Sequence, residues 1–130
     1  MRYLKFTIPL YNYSVILITL DKEDSKKGTS VLDELYLEKE ILDVVSEDCS
    51  KGSTDGAITF HNKSSHELVT FFYPMHSHKR AEECVMHELF HIVSDVSKHC
   101  GIDTEASAYM QGFVGVQILD FMRTKMDVCP

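Results

Sequence analysis

The chain has 130 residues, room for one domain spanning 1–130 and little more. Hydrophobic residues make up 44% and charged residues 25%, enough apolar surface for a core, which excludes disorder and fibrous repeats. Lys and Arg number 13 against 20 Asp and Glu, and the net charge of −7 sets up a field that repels a phosphate backbone, so no nucleic-acid partner is expected.

In chain order, Leu4, Phe6 and Ile8 alternate with Tyr3, Lys5 and Thr7 from Arg2 to Leu10, and Val15 to Leu20 is a second run rich in β-branched residues. These predict two strands joined through Tyr11, Asn12 and Tyr13. Lys5, Pro9, Asn12 and Ser14 interrupt the apolar start, so neither a signal peptide nor a membrane span is expected, and a cytoplasmic protein is the default. The segment DKEDSKKGTS reads as a polar loop. Val31, Leu35, Leu42 and Val45 then recur at helical spacing and predict a helix from about Val31 to Val45, with Ser30 and Asp33 as its capping pair.

After the turn formers DCSKGSTDG, Ala57 to Asn62 and His66 to Tyr73 predict a hairpin closed at Lys63, Ser64 and Ser65. Val85, Leu89, Ile92, Val93 and Val96 predict a helix over about Lys79 to His99, ended by a left-handed Gly101. A second long helix opens at Asp103 or Thr104 and carries Tyr109, Phe113, Val116, Ile118, Leu119 and Met122. Early strands and late helices predict an α+β fold with helices on one face of a small, mostly antiparallel sheet. The cysteines Cys49, Cys84, Cys100 and Cys129 read mostly as reduced thiols, since a chain with its own core has little need of disulfide staples.

The residues with the most chemistry are His87-Glu88-Leu89-Phe90-His91, an HExxH sequence inside a predicted helix. Histidines at i and i+4 differ by about 40° in direction and one turn in height, so two imidazoles can reach one ion. Glu88 points beside that ion, the position of a carboxylate that deprotonates water. Leu89 belongs to the apolar stripe, which sets the site on the opposite side of the helix from the core. A catalytic zinc normally takes three protein ligands and keeps one position open. Glu105, in the first turn of the next helix, is the expected third ligand; Asp103 competes with it, and Asp95 suits an acceptor for an imidazole N–H. Alternatively Glu105 is only an acidic residue at a helix N-terminus.

HELFH, then Gly101, then TEASAYMQGFV resembles the gluzincin type of zincin, in which a downstream glutamate completes HExxH. The run is most similar to the small metallopeptidases encoded by bacteriophages and prophages, and residues 87–113 carry its diagnostic motifs. The resemblance implies His87, His91 and Glu105 as ligands of Zn2+, Glu88 as base, and a zincin-like fold whose sheet edge lies above the active-site helix. Residues His66 to Tyr73 are the expected edge strand, able to pair with an extended peptide, or else an ordinary hairpin strand. The interval from His91 to Glu105 is shorter than gluzincins usually show.

Tyr109, four residues after Glu105, is a candidate for stabilising an oxyanion, or else packs. His76 and His78 in the loop before the helix, Cys84 one turn before Glu88, and His99 with Cys100 at the helix end are further potential ligands, each with a plainer structural reading. The function expected is a zinc-dependent hydrolase of peptide or protein substrates. Its rival is a noncatalytic phage structural, assembly or binding protein in which zinc only pins helices together.

Overall fold

The computed structural model describes residues 1–125 of the chain; Cys129 lies outside them. Strands β1 (Arg2–Ile8) and β2 (Tyr13–Thr19) pair antiparallel, as do β3 (Ala57–Asn62) and β4 (Glu67–Phe72), and the two hairpins meet through a parallel β2–β4 pairing. The sheet order is β1-β2-β4-β3, so the sheet is mixed. Strands β2 and β4 are its interior strands, and their near-continuous apolar runs VILIT and LVTFF reflect burial on both faces.

One face, through Val15, Leu17, Leu68 and Phe72, packs on helices α3 (His78–Cys100) and α4 (Thr104–Lys125). The other, through Ile16, Ile18, Val69 and Phe71, packs on helix α2 (Lys39–Ser50) and a 3-10 segment, Gly28–Leu35. Helices therefore cover both faces, not the one expected, because both central strands carry apolar residues on each side. The expected edge strand also changes. His66 to Tyr73 contains β4, whose backbone is paired on both sides, and the edge that faces α3 is β3.

Two local readings need correction. The polar segment after β2 is helical: α1 (Lys22–Lys27) is opened by a capping box in which Asp21 accepts from the Asp24 amide at 2.8 Å and Asp24 from the Asp21 amide at 3.1 Å. The single helix expected over Val31 to Val45 is broken at Tyr36, which is left-handed with φ 51°. Leu35 and Leu42 stand seven residues apart, so an apolar count runs straight through that break. The core-facing stripe of α2 is Ile41, Val45 and Cys49.

Ser77 caps α3 by accepting from the Arg80 amide at 3.1 Å, and Gly101, at φ 64° and ψ 39°, closes it as expected. Among the described residues of α4 the buried apolar side chains are Met110, Val114, Ile118, Phe121 and Met122, while Tyr109, Phe113, Val116 and Leu119 stay exposed. This helix is apolar on more than one face, so its periodicity does not select the face that docks. Among the described residues no helix is long and apolar enough to cross a membrane.

A glycine in the middle of α4 is suboptimal, and a Cβ at Gly112 meets nothing within 4 Å. Gly112→Ala is expected to stabilise the fold by about 0.5–1 kcal/mol, read as a rise of a few degrees in the thermal midpoint.

Candidate metal centre

Helix α3 meets β3 along its length. The buried stripe of α3 is Ala81, Cys84, Val85, Glu88, Leu89, Ile92, Val93 and Val96, so Glu88 is a carboxylate placed among apolar residues and only 3% exposed. The site therefore does not lie opposite the core, as the sequence suggested; it lies on the flank where helix and sheet meet. Ala57, Thr59 and His61 alternate along β3, and all three face α3.

Glu88 is compensated by a short polar ladder. Thr59 donates its hydroxyl to Glu88 Oε2, and Thr59 Oγ1 lies 2.8 Å from Thr70 Oγ1, its registered partner on β4. Thr59 has one proton and gives it to the carboxylate, so Thr70, itself fully buried, must be the donor in the second bond. Glu88 also lines a concavity of about 380 Å³ walled by Gly56, Ala57, Cys84 and His87.

His87 and His91 project from the solvent side of this flank. Their Nε2 atoms lie 2.9 Å apart, with ring centroids separated by 4.6 Å and planes at 77°. The i,i+4 spacing thus brings two ring nitrogens to one point, as the motif predicts. Nitrogens around a tetrahedral zinc, bonded at about 2.0–2.1 Å, are roughly 3.3 Å apart, so a small opening of the pair admits an ion.

The other expected participants are not gathered there. Helix α3 continues unbroken to Cys100, and α4 returns alongside it with Ser107 Oγ 2.7 Å from Ser97 Oγ. This pairing sets the first turn of α4 beside the last turns of α3. Glu105 is exposed there, and His91 lies six residues, roughly 9 Å, further back along α3 than Ser97. Asp103 is occupied as the cap of α4, accepting from the Ala106 amide at 2.8 Å. Tyr109 shares the face of Glu105, but that face looks into solvent and Tyr109 is 75% exposed. Among the described residues no three His, Cys, Asp or Glu side chains are arranged around a common ion position. The imidazole pair fits a divalent ion; the full three-ligand set is not assembled.

Several of the remaining candidates have structural partners. His76 pairs with Asp55 at 2.8 Å, and backbone and side-chain bonds from His76 hold the Asp55 carboxyl below its usual range, against a smaller opposing effect of burial. Arg80 Nε bonds the Asp55 carbonyl at 2.8 Å, fastening that loop to the start of α3. Burial pushes the Cys84 thiol up, which keeps it a neutral wall of the concavity. Cys49, Cys84 and Cys100 are free thiols. His78 is the first residue of α3. Asp95 lies 3.8 Å from Nδ1 of His61, an imidazole outside the His87–His91 pair. Thr59, Thr70 and His61 carry no motif; their alternation on a strand is the signal that could have placed Thr59 and His61 on one face.

No family model, no curated protein and no solved structure matches this chain.

Proposed function

We propose that the protein is a zinc-dependent hydrolase acting on peptide bonds, with His87 and His91 holding the ion and Glu88 serving as base. The observation that carries this reading is the convergence of the two Nε2 atoms, 2.9 Å apart, on a helix whose buried carboxylate, Glu88, lines one concavity together with His87. A bound zinc supplies a Lewis acid for the substrate carbonyl and makes a water at the site more acidic. Glu88 takes a proton from a water in the concavity and delivers it to the departing amine, while the hydroxyl of Thr59 fixes the carboxylate from behind. The backbone of β3, an edge strand beside the concavity, offers an extended peptide a strand to pair with.

The proposal places two protein ligands on the ion and leaves its other positions to water and substrate; Glu105 then serves α4 as an acidic residue in its first turn. A structural zinc in the rival sense needs a closed set of four ligands, and the His87–His91 pair offers two.

Equilibrium dialysis against Zn2+ tests the ligand pair. His87→Ala and His91→Ala are each expected to lose one equivalent of zinc relative to the unaltered protein while keeping its far-ultraviolet circular dichroism. Unchanged stoichiometry in both variants overturns the assignment.

A further inference from the structure

Two turns beyond His91, a second set of polar side chains meets at the end of the sheet, and the proposed hydrolase does not use it. Tyr13, the first residue of β2, is fully buried, and its hydroxyl contacts two imidazoles: Nε2 of His61 on β3 at 2.7 Å, and Nδ1 of His99 in the last turn of α3. His66, left-handed at φ 53° just before β4, stacks on the Tyr13 ring with centroids 4.8 Å apart and lies edge-on to His99 at 5.0 Å. Its Nδ1 is buried and finds no hydrogen-bond partner. Asp95, one turn before His99, stands on the far side of His61, 3.8 Å from its Nδ1.

The Tyr13 phenol can donate to one of the two nitrogens and accept from the N–H of the other, so its hydroxyl joins both imidazoles. Here three imidazoles from two strand ends and a helix end crowd the phenol, and the buried Nδ1 of His66 is left without a hydrogen-bond partner. His61 presents Nε2 to the phenol and turns Nδ1 toward Asp95. His99 is exposed and gives the corner an opening to solvent.

We propose that Tyr13, His61 and His99 form a second metal site, for a late first-row divalent ion, with Tyr13 Oη, His61 Nε2 and His99 Nδ1 as donors and a fourth position beside His66. On binding, the phenol O–H bond breaks and its proton leaves to solvent through the opening at His99. Asp95 faces Nδ1 of His61 at 3.8 Å from the side away from the ion, where its charge biases the orientation of the ring without a direct hydrogen bond. Imidazole and phenolate donors suit copper(II) and zinc, with copper bound more tightly. The eight residues from His91 to His99 separate the two sites by roughly 12 Å along the helix, so each fills independently.

The test uses a protein carrying both His87→Ala and His91→Ala, which removes the first pair, titrated with Cu2+ and followed by visible absorption and equilibrium dialysis. One equivalent of copper is expected, with a phenolate-to-copper charge-transfer band. In that background Tyr13→Phe, which keeps the ring packing, removes the band, and His99→Ala, at an exposed position, weakens binding by at least about tenfold. Absence of bound copper in the double variant overturns the proposal. So does copper bound without the band, or bound equally well by Tyr13→Phe and His99→Ala. Neither result bears on the HExxH pair, which that protein lacks.

Discussion

Replacing Glu88 by glutamine is expected to leave the protein folded and its zinc at His87 and His91 in place, while peptide hydrolysis falls about a thousandfold. A positioned general base contributes roughly 10²–10⁴ to rate, which is about 3–5 kcal/mol of barrier. Glutamine has the same shape, and its carbonyl oxygen still accepts the Thr59 hydroxyl, so the ladder to Thr70 survives. What is lost is the lone pair that takes the proton. The exchange also removes a buried charge, so no fall in thermal midpoint is expected from desolvation. The measurement pairs zinc content with mass-spectrometric analysis of cleavage in a mixture of denatured polypeptides. Equal cleavage by both proteins defeats the base role of Glu88. A native protein that holds zinc and cleaves nothing defeats the hydrolase reading and leaves a metal-binding domain.

The parts of this site that are legible in the sequence are those set by one helix alone. His87 and His91 converge because i,i+4 spacing on a helix requires it, and the helix is announced by its apolar stripe and by Gly101. The surroundings of Glu88 depend on three elements together: β3 must register with β4 to bring Thr59 against Thr70, and α3 must dock on that face of the hairpin. No spacing along the chain contains that information. Glu105 shows the converse. Its place after Gly101 invites a helix that folds back over the histidines, and α4 does fold back, but the rise along an unbroken α3 carries the chain too far for its first turn to reach His91. The sheet was legible strand by strand, from Ala57–Asn62 with the same bounds to the apolar runs of β2 and β4. Its parallel β2–β4 join, which makes β3 the edge strand, follows from long-range packing.

Thr59→Val is expected to be the most destabilising single change at the site that leaves His87 and His91 untouched, at about 3 kcal/mol. Valine matches threonine in shape and suits a strand, so neither packing nor propensity opposes the substitution. The cost comes from two groups left behind: the Glu88 carboxylate, 3% exposed, loses its only donor from the sheet, and the fully buried Thr70 hydroxyl loses its acceptor. An orphaned buried polar group costs about 1–3 kcal/mol and more when it is charged. Adding Thr70→Val removes one orphan and is expected to recover about 1 kcal/mol. Glu88→Gln in the Thr59→Val protein removes the uncompensated charge and should recover more. Chemical denaturation of the single and double variants measures these terms as a coupling energy. Additive effects of Thr59→Val and Thr70→Val would mean that the two hydroxyls do not act as one ladder, and the fixed orientation of Glu88 would then need another cause.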